Sequence, residues 1–400
     1  MRKNTCILTS SVLLGGFALA QFPETVTVKV SEVAEKNVVQ EMVNQLSLEK
    51  YKATIKELTK FGDRRQGTER NRDALDWIEA ELKSFGYINT QRHSYEFPTK
   101  RVLPRRRQIL QPGYAVGGGR QRGWKAPTGV TRNPSAQKDK YLRKLNTPQS
   151  EPGLREQVYC TKIGTTRPQE MYIVGAHMDG IGWGEAANDD GSGTALVLEL
   201  ARIFADPRIQ TECSVRFVLW NNEESGLNGS RAYVHDRAAL QGVEDPPGSG
   251  NFPEPKWLGM IQHDMMLFDH GMPRKDGTLN PEQRLEADVN IEFQMESKFS
   301  LQSQKLAWAF QRANERYATD YPATVGSHMT NTDSASFMDA VASISLRENE
   351  RGTQVGNGWS PHWHQPSDLY STYSDKDFQL GLNAAQTTLA AVAKLAGAGI

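Results

Sequence analysis

The chain has 400 residues, 38% hydrophobic and 24% charged, with 34 glycines and 19 prolines. Its 47 basic residues balance 47 acidic ones, which removes any general argument for nucleic-acid binding, and the composition excludes a collagen-like, coiled-coil or wholly disordered chain. Past the first twenty residues, no stretch reaches the roughly 20 apolar residues of a membrane-spanning helix.

Arg2 and Lys3 precede an apolar run from Cys6 to Ala20 that ends Ala18-Leu19-Ala20. This is the layout of a cleavable secretory signal. The expected organisation is a signal over 1–20 and one domain over 21–400, secreted or periplasmic. Cleavage removes Cys6 and leaves Cys160 and Cys213, both in strand-like runs: one disulfide or two buried thiols. Two thiols do not make a zinc–thiolate site, so any metal must sit on histidine and carboxylate.

In chain order, 31–46 and 47–61 read as helices, and a third carries Leu75, Ile78, Leu82 and Phe85 at helical spacing with Gly86 as its stop. Tyr95 and Phe97 mark a strand. From Arg101 to Asn146 the chain is basic and without periodicity, and Asp139 is its one acid. This reads as a basic insertion at about 100–150, a solvated loop, with an anchor for an acidic surface partner as the alternative. Strands then follow at 158–163, 171–176 and 214–220, with a helix at 194–204 between the last two. Further strands are expected at 258–262, 287–293 and 341–346, and helices at 301–317 and 375–395. Apolar strands interleaved with helices imply an α/β fold with a mainly parallel sheet covered on both faces.

Polar groups cluster at the ends of these strands, where open α/β sheets place their sites. His177 and Asp179 end one strand, and Asn188-Asp189-Asp190-Gly191-Ser192-Gly193 leads into the next helix. Glu223-Glu224 end the following strand and Asp264 the one after, while His364 lies in a late loop. Any one of these is ordinary: a hydrogen-bonded pair, a helix cap, a solvated edge. Together, two imidazoles and several carboxylates at one sheet edge suit a pair of divalent ions, which would justify two adjacent acids after so apolar a strand as Val-Arg-Phe-Val-Leu-Trp.

The series Gly-Ala-His177-Met-Asp179, Ala-Asn-Asp189-Asp190-Gly-Ser-Gly, Asn-Asn-Glu223-Glu224-Ser-Gly-Leu and His364-Gln-Pro-Ser-Asp368 resembles the M28 family of zinc exopeptidases from about residue 50 onward. The resemblance implies a three-layer α/β/α fold with a mixed, mainly parallel sheet and two Zn2+ ions per chain. It implies that His177 and Asp264 hold one ion, that Glu224 and His364 hold the other, and that Asp189 bridges them. Glu223 would be the general base, Asp179 would orient His177, and a cis peptide would follow Asp189. Substrates would be peptides, cleaved from the amino terminus. Departures exist: Trp363 stands where the family often has Tyr, and Ser334 stands where it usually has His. His362 is the alternative to His364, which the spacing to Asp368 favours. Other readings are a carboxypeptidase acting on acidic dipeptides, a single-zinc glutaminyl cyclase and a non-catalytic binding module.

Overall fold

The computed structural model describes residues 37–98, 130–269, 289–327, 329, 331–348 and 360–399. The signal-like first twenty residues and the most basic run, 101–129, lie outside them. From Asn37 onward the chain forms a single unit.

Its elements are α1 (Val38–Val43), α2 (Leu48–Thr59), α3 (Glu69–Ser84), β1 (Gln91–Phe97), α4 (Lys140–Leu145), β2 (Gly153–Lys162), β3 (Arg167–His177), α5 (Gly191–Phe204), β4 (Cys213–Trp220) and α6 (Asn228–Arg237). Then come β5 (Lys256–His263), β6 (Val289–Phe293), α7 (Ser300–Tyr317), β7 (Ala323–Gly326), α8 (Ser334–Phe337), β8 (Ser343–Arg347) and α9 (Asp375–Leu395). The eight strands form one sheet in the order β1-β2-β4-β3-β5-β8-β6-β7. Pairs β3/β4, β3/β5, β5/β8 and β6/β7 are parallel; β1/β2, β2/β4 and β6/β8 are antiparallel. The expected mixed, mainly parallel sheet is therefore present, with its parallel strands at the centre.

Side chains that alternate along each strand feed two cores. On one face Val174, Ala176, Val215, Phe217 and Leu219 pack with α2, α3, α5, α7 and α9. On the other, Ile173, Val218 and Trp220 pack with Tyr233 of α6 and Phe337 of α8. These are the three layers. Asp190 accepts the Gly193 N–H at 2.8 Å and so caps α5, while Ser374 and Asp377 form a capping box at the start of α9.

Of the two readings of the cysteines, the structure has Cys160 and Cys213 as free, buried thiols. The described end of the basic insertion is mostly exposed, but it carries α4, and Gln137, Leu142 and Asn146 are buried. Among the described residues no helix is long and apolar enough to cross a membrane.

Candidate metal centre

The parallel strands β3, β4 and β5 run side by side, so the loops after His177, Trp220 and His263 open at one edge of the sheet. Two groups of side chains converge there. His177, Asp189 and Asp264 offer ligand atoms that all lie within 4.8 Å of one another, as do Asp189, Glu224 and His364. His177 Nε2 is 3.2 Å from Asp189 Oδ1 and 3.8 Å from Asp264 Oδ1. His364 Nε2 is 3.1 Å from Asp189 Oδ2 and 2.7 Å from Glu224 Oε2. Asp189 is shared, one oxygen facing each imidazole, and the peptide that follows it is cis.

The chemistry of both groups suits zinc. Histidine and carboxylate are zinc ligands, and with bonds near 2.1 Å two ligand atoms on one tetrahedral ion sit roughly 3.4 Å apart. Asp189 Oδ1 and Glu224 Oε1 are buried without a hydrogen-bond partner, a costly state for polar atoms unless a further group satisfies them. The electrostatics agree. Burial raises the Asp189 carboxyl, but the His177 and His364 rings outweigh it and hold it far below the usual carboxylate range. Burial lowers His364, but Glu224 and Asp189 push it up to about 10; His177 rises in the same way. The cluster thus draws in positive charge, and a bound cation would displace those protons.

Around this centre each acid has its own task. Asp179 Oδ1 accepts the Glu223 N–H at 3.0 Å and Oδ2 the Glu224 N–H at 3.4 Å, so it fixes the turn that carries both glutamates. The Asp179 carboxylate is one of two groups that could orient His177, the role the resemblance implies for Asp179. That carboxylate lies 3.8 Å from Nδ1, whereas the Asp179 backbone carbonyl lies at 2.9 Å, so the main chain holds the ring and sets its tautomer. Asp190 caps α5 and accepts the His177 N–H. The Asp-Asp pair therefore serves both as helix cap and as centre, one acid for each. His362 does not join the cluster: its Nδ1 is 2.9 Å from Ser367 Oγ and its ring packs edge-on to Phe268 and Tyr373. His263, next to Asp264, bonds Thr388 and the Gly175 carbonyl instead of any member of the centre.

Three supporting residues escaped the sequence reading. Arg347 Nη2 donates to Asp264 Oδ2 at 2.9 Å. Glu348 Oε2 accepts from Asn188 Nδ2 and from the N–H groups of Leu267 and Phe268, joining the end of β8 to two loops of the centre. Arg64 is fully buried and donates to the carbonyls of Met178, Glu185 and Ala186. The signal for the first two was an Arg-Glu pair directly after the apolar Ser-Ile-Ser-Leu of β8, the same pattern that marked Glu223-Glu224.

Burial pushes the Glu348 carboxyl up to about 8. A carboxyl raised in the folded state keeps its proton there, so its contribution is complete below the unfolded value near 4.3 and is lost as pH climbs through 8. Glu348→Gln keeps an acceptor without the titration. The fall in stability of the metal-free protein between pH 5 and pH 8 should shrink by on the order of 1–4 kcal/mol in this variant. Urea midpoints at the two pH values measure it, and an unchanged fall would show that Glu348 does not titrate there.

A family model described as "Peptidase family M28" matches residues 158–388. An aminopeptidase of Pseudomonas aeruginosa is 42% identical over 71 residues, 18% of this chain and 13% of that protein. The chain spans less than a fifth of the length of the curated relatives it matches. Among solved structures, the aminopeptidase from Aneurinibacillus sp. strain AM-1 superposes with a TM-score of 0.57 at 18% identity, covering 89% of this chain and 95% of that one. The Porphyromonas gingivalis glutaminyl cyclase does so with 0.53 at 16%, covering 87% and 98%. At such identities the likeness is one of fold.

Proposed function

The chain belongs to peptidase family M28, whose model covers more than half of it, and from that membership we propose that it is a zinc-dependent aminopeptidase that removes N-terminal residues from peptides. The observation that carries the reading is the pair of ligand groups sharing Asp189, with Glu223 close enough to feel His177, Glu224 and Asp264. His177, Asp264 and Asp189 would hold one zinc ion, and Asp189, Glu224 and His364 a second. Once bound, the ions would acidify a water and draw charge from the scissile carbonyl.

The chain's own contribution is the movement of the proton. Glu223 accepts it from the attacking water and delivers it to the leaving amine nitrogen. Without a bound cation, burial, opposed by His177 and reinforced by Glu224, Asp333 and Asp264, raises its carboxyl well above the ordinary range; a cation beside it would lower it again and free it to accept a proton. Asp179 keeps Glu223 in place by its backbone N–H. The same proposal takes the signal-like run 1–20 as support for an activity exercised outside the cytoplasm.

A complete second ligand group, Asp189, Glu224 and His364, favours the two-ion peptidase over a single-zinc cyclase. A panel of aminoacyl-nitroanilides beside N-blocked dipeptides, with and without chelator, tests the reading. Cleavage confined to the free-amine set and abolished by chelator is the expected result. Cleavage confined to the blocked set would make the protein a carboxypeptidase, and cyclisation of N-terminal glutamine without hydrolysis would make it a cyclase.

A further inference from the structure

His364 is the ligand least fixed by regular structure. His177 ends a central strand, and the Glu223-Glu224 turn is held by Asp179. His364 sits in a loop with φ +56°, a left-handed backbone that a non-glycine residue adopts only when its surroundings hold it there.

Asp368, which accepts the Asn188 and Asp189 N–H groups, anchors the C-terminal side of that loop, and the segment 130–146, the described end of the basic insertion, holds its His364 end. The Thr131 N–H donates to the His364 carbonyl at 3.1 Å, and the Thr131 hydroxyl donates to Gln365 Oε1 at 2.6 Å. Gln137, buried, donates from Nε2 to two carbonyls at once: Trp183 at 2.8 Å, in the loop between His177 and Asp189, and Pro366 at 3.1 Å, in the loop of His364. The far end is pinned by Asn146, which donates to the Gly184 carbonyl and accepts the Asp63 N–H. The two loops touch main chain to main chain: a Cβ on Gly182, whose φ is +104°, would stand 2.3 Å from the His364 carbonyl carbon. The Trp363 ring stacks on the His364 imidazole with centroids 4.0 Å apart.

We propose that the segment 130–146 is a strap that seats His364 on its metal ion, with Thr131 and Gln137 as positioning residues. Neither side chain belongs to the two ligand groups. They act through the backbone of the loop, and on one ion more than the other, because nothing in the strap touches His177, Asp264 or Glu224 in the bonds described. The inference rests on the two-ion reading above and adds an asymmetry to it: the insertion makes one metal position dependent on a segment outside the central sheet. Loss of an outer partner of a metal ligand typically weakens metal binding about 10–100-fold.

Zinc titration calorimetry on the metal-free full chain tests this. The variants are Thr131→Pro, which removes the N–H and the hydroxyl, and Gln137→Met, which removes both amide donors at nearly the same size. Thr131→Ser, which keeps both groups, is the control. The wild type and Thr131→Ser should bind two ions. Each strap variant should bind one ion as the wild type does and the other about 10–100-fold more weakly. Circular dichroism melts in the absence of zinc check the fold, and Gln137→Met decides if Thr131→Pro does not fold. Two ions bound at wild-type strength, or both weakened equally, would overturn the strap's role while leaving the peptidase reading intact. A wild type that binds fewer than two ions would overturn both.

Discussion

Glu223→Gln is expected to lower kcat by about two to four orders of magnitude while both zinc ions stay bound. The side chain is absent from both ligand groups, and its backbone N–H remains available to Asp179, so the turn should survive. Glutamine has the same shape but accepts no proton at neutral pH, so only the transfer is lost. The neighbouring substitution should behave in the opposite way. Glu224 Oε2 lies 2.7 Å from His364 Nε2, and Glu224→Gln puts a neutral amide where an anionic ligand stood. Atomic emission for zinc, measured beside kcat on a free-amine substrate, separates the two. Zinc loss in the Glu223 variant would show that the roles of the adjacent glutamates are reversed.

Asp189→Asn should cost both ions. One Asp189 oxygen faces His177 Nε2 at 3.2 Å and the other faces His364 Nε2 at 3.1 Å. An amide supplies one oxygen and one NH2, and the NH2 cannot ligate a cation. It also removes the single carboxylate common to both groups, leaving Asp264 beside Arg347 and Glu224 beside His364 as separate pairs. Zinc affinity should fall at both positions by more than the roughly 10–100-fold that follows loss of an outer partner, and activity should fall with it. Calorimetry reads this directly. Retention of one ion at full strength would mean that Asp189 serves one position and bridges nothing.

Much of the scaffold was legible because it rests on local periodicity. The helix over 375–395 was read to its ends, since apolar residues recur along it and Ser374 and Asp377 mark its start. Strands β3 and β4 were read to within a few residues because each is an apolar run closed by polar residues. Other elements carried little signal. Helix α6 was not anticipated: its Arg-Ala-Tyr-Val-His-Asp-Arg core gives one strongly apolar side, Ala232 and Tyr233, and too few residues to define a stripe. The strand β7 is four residues long and half-buried.

The five converging side chains, His177, Asp189, Glu224, Asp264 and His364, were legible for a different reason. Acids and imidazoles at the ends of buried strands are expensive unless a function gathers them, and their spacing matched a family pattern. What the chain alone determined, then, was which acids and imidazoles would gather and that parallel strands would present them at one edge. What only the folded arrangement decided was partnership. It seated His362 against Ser367, Phe268 and Tyr373, gave Asp190 to the helix cap, and turned His177 toward a main-chain carbonyl. It also brought Arg347 to Asp264 and laid Gln137 across two distant loops. The contacts of Arg347 and Gln137 join residues far apart in the chain, which no local pattern encodes. Local sequence sets side-chain periodicity and backbone preference, but the approach of one loop to another is set by the packing of the whole sheet and its helices.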